Sequence, residues 1–184
     1  PDASSASYPL AAAAIAGGRV VVTGLGGNSL QSDSVFAELL HEMGCEVDRS
    51  EGTTVLRGPG QYLHGVTVDM SDCSDLVPTL ATVCCFASTP SLLTGIGFIR
   101  RKESNRIEGL AEQLRLLGGE VEALSDGLVI NPSNMRGGRV DTMHDHRIAM
   151  ALSLVGLAVD GVEIIDPDVV SKSWPGYWDM LDAL

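Results

Sequence analysis

The segment His41-Glu-Met-Gly-Cys-Glu-Val47 recurs 74 positions later as Arg115-Leu-Leu-Gly-Gly-Glu-Val121. In each copy a helical pattern runs up to a glycine and an alternating pattern follows, which predicts a helix that leads into a strand. Thr23-Gly24-Leu25 recurs in the same way as Thr94-Gly95-Ile96, 71 positions later. Matches at nearly one spacing indicate a fold built from a repeated unit.

A third pair of matching positions is Asp75 and Asp145, which lie 70 positions apart and each precede an apolar helical pattern. Alternating patterns predict strands over residues 19–25, 45–51, 53–57, 65–70, 91–96, 120–124, 127–131, 139–142 and 161–166. Helical periodicity predicts helices near residues 5–16, 33–43, 76–87, 105–117, 146–158 and 174–183.

The middle copy of the unit is complete and reads strand, helix, strand, helix, strand, strand. Division of the chain into units of approximately 1–59, 60–132 and 133–184 leaves the first copy without its opening strand, and the third stops after its second helix. The expected architecture is a single α/β lobe of three pseudo-symmetric βαβαββ units, the first and last incomplete. We therefore expect Pro1 not to be a natural start and the lobe to come from a longer protein.

The composition predicts a globular chain with one hydrophobic core. Of the 184 residues, 45% are hydrophobic and 20% are charged, and the formal net charge is −12. Nonspecific binding to nucleic acid or to an anionic membrane needs a basic surface, so the acidic balance argues against both. The longest apolar run, residues 9–15, is far shorter than the roughly 20 residues that span a bilayer, so a soluble chain is expected.

The four cysteines Cys45, Cys73, Cys84 and Cys85 form no C-x-x-C pair, and two of them are adjacent in an apolar helical pattern. This arrangement is typical of reduced, buried thiols in a cytoplasmic protein. We therefore expect no disulfide, no metal site and a cytoplasmic location.

Positive charge is concentrated in Arg100-Arg-Lys-Glu-Ser-Asn-Arg106, which has four cations in seven residues. Asn105 is the predicted N-cap of the following helix, and Glu108 completes a capping box three positions later. Lys102 and Arg106 then lie at a helix N-terminus, where the helix dipole is already positive. Cations are disfavoured there unless an anion joins them.

The same arrangement recurs at two other predicted helix starts. Asp145 is a predicted cap with Arg147 in the first turn, and Ser173 is a predicted cap with Lys172 before it. Lys102 and Lys172 are the only lysines in the chain. If the repeat brings equivalent helix N-termini to one side, these cations converge on a pocket for a multiply charged anion, such as a phosphate with a carboxylate.

Each of these charged residues also has a purely structural interpretation. Arg100 and Arg101 are expected to be solvated or bound to surface carboxylates, because adjacent residues at a strand end point in opposite directions. Asp75 is expected as a helix N-cap, with Pro78 inside the first turn. Surface positions, or pairing with one nearby charge, are the alternatives for Glu103, Arg106, His146 and Arg147. A non-catalytic domain that binds an anion or a partner lobe therefore stands beside an enzyme as an interpretation.

Two motifs are similar to those of a known enzyme family. Lys102-Glu-Ser-Asn-Arg106 resembles the K-E-[ST]-[DN]-R motif of the EPSP synthase (3-phosphoshikimate 1-carboxyvinyltransferase) family, and Asp145-His-Arg147 resembles its D-H-R motif. Further segments fit the family in the same order: Asp2-Ala-Ser-Ser-Ala-Ser-Tyr8, Asn28-Ser-Leu-Gln31 and Ser171-Lys-Ser-Trp-Pro175. The resemblance covers the whole chain. An enolpyruvyl transferase that acts on UDP-N-acetylglucosamine would share the fold and the donor, but it lacks this pair of motifs.

The resemblance implies that the chain is the C-terminal lobe of a two-lobed transferase. Enzymes of this family transfer the enolpyruvyl group of phosphoenolpyruvate to the 5-hydroxyl of shikimate 3-phosphate and release phosphate, a step of the shikimate pathway of aromatic amino-acid biosynthesis. No cofactor and no metal are implied. The first stretch of the full chain completes this lobe, and the N-terminal lobe supplies the other side of the cleft. We therefore expect the isolated lobe to be inactive or nearly so.

The resemblance also assigns catalytic roles. Asp75 corresponds to the base that takes the proton of the 5-hydroxyl as that oxygen attacks C2 of phosphoenolpyruvate. Glu103 corresponds to the carboxylate that handles the proton at C3, with Lys172 as its acid–base partner. His146 corresponds to a supporting residue.

Substrate binding is assigned in the same way. Arg106, Arg147 and Lys172 resemble the clamp on the phosphate and carboxylate of phosphoenolpyruvate. Lys102 and Asp75 are expected to hold shikimate 3-phosphate. The sequence departs from the family at Phe98, where an asparagine often contacts the shikimate moiety, and at Met143-His144, where Tyr-Asn is frequent.

Overall fold

Six α-helices and nine β-strands follow one another along residues 1–184 of the computed structural model. The helices are α1 (Ala3–Ala16), α2 (Phe36–Glu42), α3 (Val77–Cys84), α4 (Glu108–Leu116), α5 (His146–Ser153) and α6 (Tyr177–Asp182). The strands are β1 (Arg19–Thr23), β2 (Glu46–Arg49), β3 (Thr53–Arg57), β4 (Thr67–Asp69), β5 (Ser91–Thr94), β6 (Glu120–Leu124), β7 (Gly127–Asn131), β8 (Gly138–Asp141) and β9 (Val162–Ile165). All of the predicted elements are present, and the α/β class is confirmed.

The repeated glycines occupy equivalent turns. Gly44 follows α2 with φ +109°, and Gly118 follows α4 with φ +88°. Gly24 and Gly95, which follow β1 and β5, have φ values of +79° and +72°. A side chain is strained in this left-handed region, so the repeat preserves glycine where the chain leaves a helix or a strand.

The strands form three separate sheets. The first has the order β1-β3-β2 with antiparallel pairs, the second has the order β4-β5-β7-β6, and the third is the parallel pair β8-β9. In the second sheet β4 and β5 are parallel, whereas β5-β7 and β6-β7 are antiparallel. The first sheet therefore corresponds to β5-β7-β6 and the third to β4-β5. These strand orders support the division into three units, which itself stays a prediction.

The core lies where α1, α3 and α5 pack together beneath the three sheets. α1 contacts α3, and α3 contacts α5. Every residue of α3 is buried, as expected of a helix that is surrounded by other elements. The main cluster contains 45 buried residues, and all four cysteines are free and buried. No helix combines the length and the apolar character needed to span a membrane.

Several predicted helix starts are wrong because 3-10 turns precede the helices. Asp75 lies in the turn Ser74–Leu76 and its side chain does not cap α3, which begins at Val77. Lys172 ends the turn Pro167–Lys172, so neither it nor Ser173 lies at the start of α6.

The segment before α4 differs from the prediction in a similar way. Arg100 and Arg101 lie in the 3-10 turn Gly97–Arg101 rather than at a strand end. α4 begins at Glu108, so Asn105 is not its N-cap, although the Asn105 side chain accepts a 3.4 Å hydrogen bond from the Glu108 amide.

Candidate active site

Asp145 is the N-cap of α5, and its carboxylate orients Arg106. Its side chain accepts a hydrogen bond from the Arg147 amide at 3.0 Å, which confirms the predicted cap. The same carboxylate receives Arg106 Nε at 2.7 Å and a terminal nitrogen of Arg106 at 3.2 Å, and Ser104 Oγ donates to it at 3.0 Å. Asp145 is 0% and Arg106 2% exposed. The two-pronged pair fixes the plane of the guanidinium.

The pKa of Asp145 shows that this buried charge is compensated. Burial raises the pKa, but the hydrogen bond and the positive charge of Arg106 outweigh burial and hold it below its usual range. A buried ion without its partner strongly disfavours the folded state, so Asp145 and Arg106 depend on each other.

Asp75 is the meeting point of three cations. One carboxylate oxygen lies 2.5 Å from Lys102 Nζ and 3.2 Å from Arg106, and the other lies 2.9 Å from Arg147. Lys102 Nζ also donates to Ser74 Oγ at 3.0 Å. Asp75 is thus an ion-pair centre and not the helix cap that its local sequence predicts.

The surroundings of Asp75 also set its proton affinity. Burial raises the pKa of Asp75, but the hydrogen bond from Lys102 and the charge of Arg147 together lower it by more. The pKa therefore lies below the ordinary aspartate value. Asp75 is therefore ionised at neutral pH and a weak base while all three cations face it. An anion that draws those cations away removes the cause of the lowered pKa.

Glu103 forms a second centre beside the first. One oxygen lies 2.5 Å from Lys172 Nζ, and the other lies 3.0 Å from His146 Nδ1 and 3.8 Å from Arg106. The histidine contact lacks the alignment of a hydrogen bond, which leaves the buried Nδ1 without a partner. Burial raises the pKa of Glu103, but Lys172 and His146 bring it below its usual value. Burial lowers the pKa of His146, so this histidine is neutral at pH 7.

The loop before Asp145 holds an uncommon backbone. Met143 and His144 have φ values of +52° and +56°, so two successive side-chain-bearing residues lie in the left-handed region. His144 Nδ1 lies 3.0 Å from Asp166 Oδ2, and Asp166 also has a positive φ. Such conformations persist only where the surroundings impose them. This is the place where the sequence departs from the family pattern at Met143-His144.

An open cleft of about 470 Å³ joins the two centres. It is lined by polar and charged residues alone: Asp75, Lys102, Glu103, Arg106, His146 and Arg147. Lys172 adjoins it through its contact with Glu103. Every predicted site residue therefore lies in this cluster, and His146 is buried rather than at the surface. A roomier and mainly apolar groove of about 530 Å³ along α1 and β1 contains none of them, so charge places the candidate site in the polar cleft.

The cluster is suited to anions and poorly suited to a metal ion. Donor atoms of Glu103, Asp145 and His146 lie within 4.8 Å of one another. However, both Asp145 oxygens already receive Arg106, and Arg106 also approaches Glu103. A metal cation would meet this guanidinium at close range, so its charge opposes the binding of a cation.

The neighbouring predicted residues have different environments. Arg100 pairs with Glu108 and donates to the Ser125 carbonyl at 3.3 Å, outside the cleft, in agreement with a surface role. Arg101 is exposed. The Phe98 ring is 51% exposed, and its centre lies 5.8 Å from Lys102 Nζ.

Sequence reasoning missed three polar contributors to this cluster. The sequence predicts no role for Ser74 or Ser104 and only a capping role for Asp145. The first two give no local signal, because serines are common at turns. The aspartate of the D-H-R motif was visible, but its pairing with Arg106 spans 39 positions of sequence.

Comparison with known proteins shows the family of the chain. The sequence model of EPSP synthase (3-phosphoshikimate 1-carboxyvinyltransferase) matches residues 1–181. The chain belongs to the EPSP synthase family. It is 45% identical over 183 residues to the 3-phosphoshikimate 1-carboxyvinyltransferase of Methanoregula boonei and 44% identical over 178 residues to that of Nostoc punctiforme. The alignments cover 100% and 97% of this chain but 43% and 42% of those proteins.

Solved structures place the fold in the same group. EPSP synthase from Acinetobacter baumannii matches with a TM-score of 0.86 and 27% identity, over 98% of this chain and 45% of that one. The enolpyruvyl transferase NikO from Streptomyces tendae matches with a TM-score of 0.77 and 20% identity, over 100% of this chain and 43% of that one. The second likeness shows the enolpyruvyl transferase fold alone.

Proposed function

We propose that this chain is the C-terminal lobe of an EPSP synthase and carries the anion-binding half of its active site. The parent enzyme would transfer the enolpyruvyl group of phosphoenolpyruvate to the 5-hydroxyl of shikimate 3-phosphate and release phosphate. The observation that carries the proposal is the Asp75 carboxylate, faced at once by Lys102, Arg106 and Arg147 in a polar cleft. Family membership supports the reaction, and this cluster offers the cations and carboxylates that the reaction needs.

Recognition of phosphoenolpyruvate rests on arginines. Arg106 is held in plane by Asp145, which leaves its remaining terminal nitrogen directed at Asp75. Arg147 approaches the same carboxylate from the N-terminal turn of α5. Planar guanidinium groups match phosphate and carboxylate oxygens in pairs. Lys172 is 59% exposed and adds a positive charge beside Glu103, while Lys102 binds shikimate 3-phosphate.

Asp75 acts as the base for the acceptor hydroxyl. As bound anions recruit Lys102 and the two arginines, the cause of its lowered pKa weakens and its proton affinity rises. It then removes the proton of the 5-hydroxyl while that oxygen bonds to C2 of phosphoenolpyruvate. General base catalysis of this kind contributes ~10²–10⁴-fold.

Glu103 and Lys172 handle the proton at carbon. In the addition step C3 gains a proton and becomes a methyl group, with the alcohol oxygen and the phosphate both on C2. In the elimination step C3 loses a proton, the double bond returns and the C2–phosphate bond breaks. The 2.5 Å contact between Lys172 and Glu103 supports a proton passed between them. His146, whose Nδ1 lies 3.0 Å from the other Glu103 oxygen, is the supporting residue.

A partner lobe would complete the site and the sheets. The cleft is open to solvent. In the second sheet β4 pairs with β5, whereas the equivalent edge of β1 has no strand beside it. The chain spans less than half of the relatives it matches. These observations support completion of the sheets by the first stretch of the full chain and of the cleft by the N-terminal lobe, and we expect this chain alone to bind anions weakly without catalysis.

The competing function is a non-catalytic anion-binding domain. It is favoured by the same open cleft, because cationic side chains line the cleft and no second lobe closes it. Action on UDP-N-acetylglucosamine is not favoured, because the two motifs that form the cluster at Asp75 and Glu103 resemble those of EPSP synthase.

A phosphate-release assay with phosphoenolpyruvate and shikimate 3-phosphate separates these functions. The 184-residue chain and the longer parent chain are assayed side by side, and the organic product is identified by mass spectrometry. We expect product from the parent chain only. A parent chain that forms no enolpyruvyl product would overturn the proposal and leave the binding domain.

A further inference from the structure

The loop of residues 101–107 carries three charged side chains of the cleft, those of Lys102, Glu103 and Arg106. Arg106 is held by the buried Asp145. Lys102 and Glu103 end in the open cleft, where their partners in the free protein are other charged side chains. Those pairings change when an anion binds, so a fixed position for this half of the loop needs a support outside the cleft.

Arg100 makes contacts of this kind. The loop begins after Arg100 and ends before Glu108, the first residue of α4, and these two side chains form an ion pair. Arg100 Nε also donates to the Ser125 carbonyl at 3.3 Å, and a terminal nitrogen of Arg100 donates to the Leu124 carbonyl. One guanidinium therefore joins the two ends of the loop to each other and to the hairpin of β6 and β7.

This hairpin is a rigid support. β6 and β7 are joined by a turn of only two residues, Ser125 and Asp126, which fixes their register. The Asp126 carboxylate accepts a hydrogen bond from the Gly97 amide at 2.6 Å, and its carbonyl accepts one from the Ile96 amide at 3.2 Å. A Cβ atom at Gly97 would lie 2.9 Å from Asp126 Oδ1, so the hairpin turn directly contacts the 3-10 turn that precedes the loop.

The contacts of Arg100 define a position more than they stabilise the fold. The side chains of Arg100 and Glu108 are 25% and 49% exposed, and solvent screens an ion pair of this kind. A guanidinium has five N–H donors in one plane, so it nevertheless fixes the direction of the groups that it binds. The neighbouring Arg101 is exposed and offers a matched control of equal charge.

We infer that Arg100 is a positioning residue: by holding the loop of residues 101–107 on the hairpin, it sets where Lys102 and Glu103 enter the cleft. Arg100 itself touches no substrate. Arg147 has a support of its own, because it projects from the first turn of α5. Loss of Arg100 should therefore impair the binding of shikimate 3-phosphate and the proton transfer at carbon, and spare the binding of phosphoenolpyruvate. This inference rests on the proposed function.

The test compares Arg100→Ala with Arg101→Ala in the longer parent chain. For Arg100→Ala we expect the KM for shikimate 3-phosphate to rise about tenfold, as for one lost hydrogen bond to a charged group. We expect kcat to fall by up to ~10²-fold, as for a reacting group misplaced by about 1 Å, and the KM for phosphoenolpyruvate to stay unchanged. Arg101→Ala should alter none of these constants. The unfolding midpoint should fall by at most about 4 °C in either variant.

A second pair of variants shows whether Arg100 acts through Lys102. In a Lys102→Ala background, Arg100→Ala should raise the KM for shikimate 3-phosphate no further, because the side chain that it positions is absent. An equal further rise would overturn the inference. So would an Arg100→Ala variant with a lowered unfolding midpoint and both KM values unchanged, because a purely structural role reduces only the amount of active enzyme.

The Asp75 carboxylate reports the position of Lys102 without the reaction. Burial raises the pKa of Asp75, and the hydrogen bond from Lys102 is the foremost influence that lowers it. Arg100→Ala should therefore raise this pKa, measured by carbon-13 NMR of labelled aspartate, and Arg101→Ala should not. A raised pKa in a parent chain that forms no enolpyruvyl product would leave the inference standing and the proposed function overturned. An unchanged pKa in a parent chain that forms the product would do the reverse.

Discussion

The N-termini of α3 and α5 occupy equivalent places in the repeat, yet their aspartates do different work. Asp145 caps α5 and holds Arg106 in a fully buried pair. Asp2 likewise caps α1, with its side chain accepting from the Ser5 amide. Asp75 caps nothing and faces three cations in the open cleft. Of these three carboxylates, only that of Asp75 does not cap a helix. It is therefore available for chemistry in the cleft.

The largest effect should come from Asp75→Asn in the parent enzyme. The amide cannot accept the proton of the acceptor hydroxyl, so the rate of enolpyruvyl transfer should fall ~10²–10⁴-fold. Folding stability should fall only modestly, because the Asp75 side chain is 35% exposed and solvent screens its ion pairs. Steady-state phosphate release and thermal unfolding measure the two quantities. Retained activity would show that another group is the base.

Asp145→Asn should affect stability instead. Asparagine caps a helix as well as aspartate does, so the change isolates the charge that Arg106 needs. We expect the free energy of unfolding to fall by about 3–5 kcal/mol, the usual result of removing one partner of a buried ion pair. Denaturant unfolding of the chain measures it. Asp2→Asn is the matched control and should be nearly neutral; equal losses in both variants would contradict the assigned difference.

Arg147→Ala should weaken phosphoenolpyruvate binding by the parent enzyme about tenfold or more, since charge-assisted hydrogen bonds are lost. Arg101→Ala removes an equal charge from an exposed position outside the cleft and should leave binding unchanged. Equilibrium titration with phosphoenolpyruvate compares the two. Similar losses would show that the anion site is misplaced.

Acid should destabilise the chain mainly through Asp75 and Asp145. Their folded pKa values lie below the unfolded one, so the unfolded chain binds more protons as the pH falls. Their contribution is complete well above the unfolded pKa of about 3.9 and is lost as the pH falls through the folded values. Unfolding measured from neutral pH downward should show this, with a shallower slope for Asp145→Asn. An unchanged slope would exclude Asp145 as a source.

Phe98→Leu should give the smallest effect. The ring lies 5.8 Å from Lys102, and an exposed contact of this kind contributes ~0.5–1 kcal/mol. The KM for shikimate 3-phosphate should therefore rise about two- to fivefold, with the KM for phosphoenolpyruvate unchanged. Equal changes in both constants would show a general disturbance of the cleft.

The regular elements were predictable where a local pattern alone defines them. The observed bounds of β3, β6 and β7 coincide with the predicted ones, because turn-forming residues such as Gly52, Gly119 and Pro132 bound these strands in the sequence. Helix starts were less predictable. A 3-10 turn precedes α3, so a potential cap such as Asp75 ends up one turn away from the helix.

The site was predictable in its membership and not in its pairings. The repeat and the two motifs bring Lys102, Arg106 and Arg147 to one place. However, the partners of Asp75 lie 27, 31 and 72 positions away, and a local signal for capping, Asp75 before Pro78, points the other way. The role of Asp75 is set by ion pairs with residues that are distant in the sequence. A short stretch of neighbouring residues cannot reveal those partners.

The three cations on Asp75 also have a consequence for selectivity. The protein carries its own anion inside the cleft, so any ligand competes with a tethered carboxylate that is always present at high local concentration. A monovalent ion such as chloride offers no more charge than Asp75 does and gains little by replacing it. A ligand with two or more negative charges engages several cations together and prevails. The resident carboxylate therefore disfavours monovalent anions such as chloride and favours ligands with two or more negative charges.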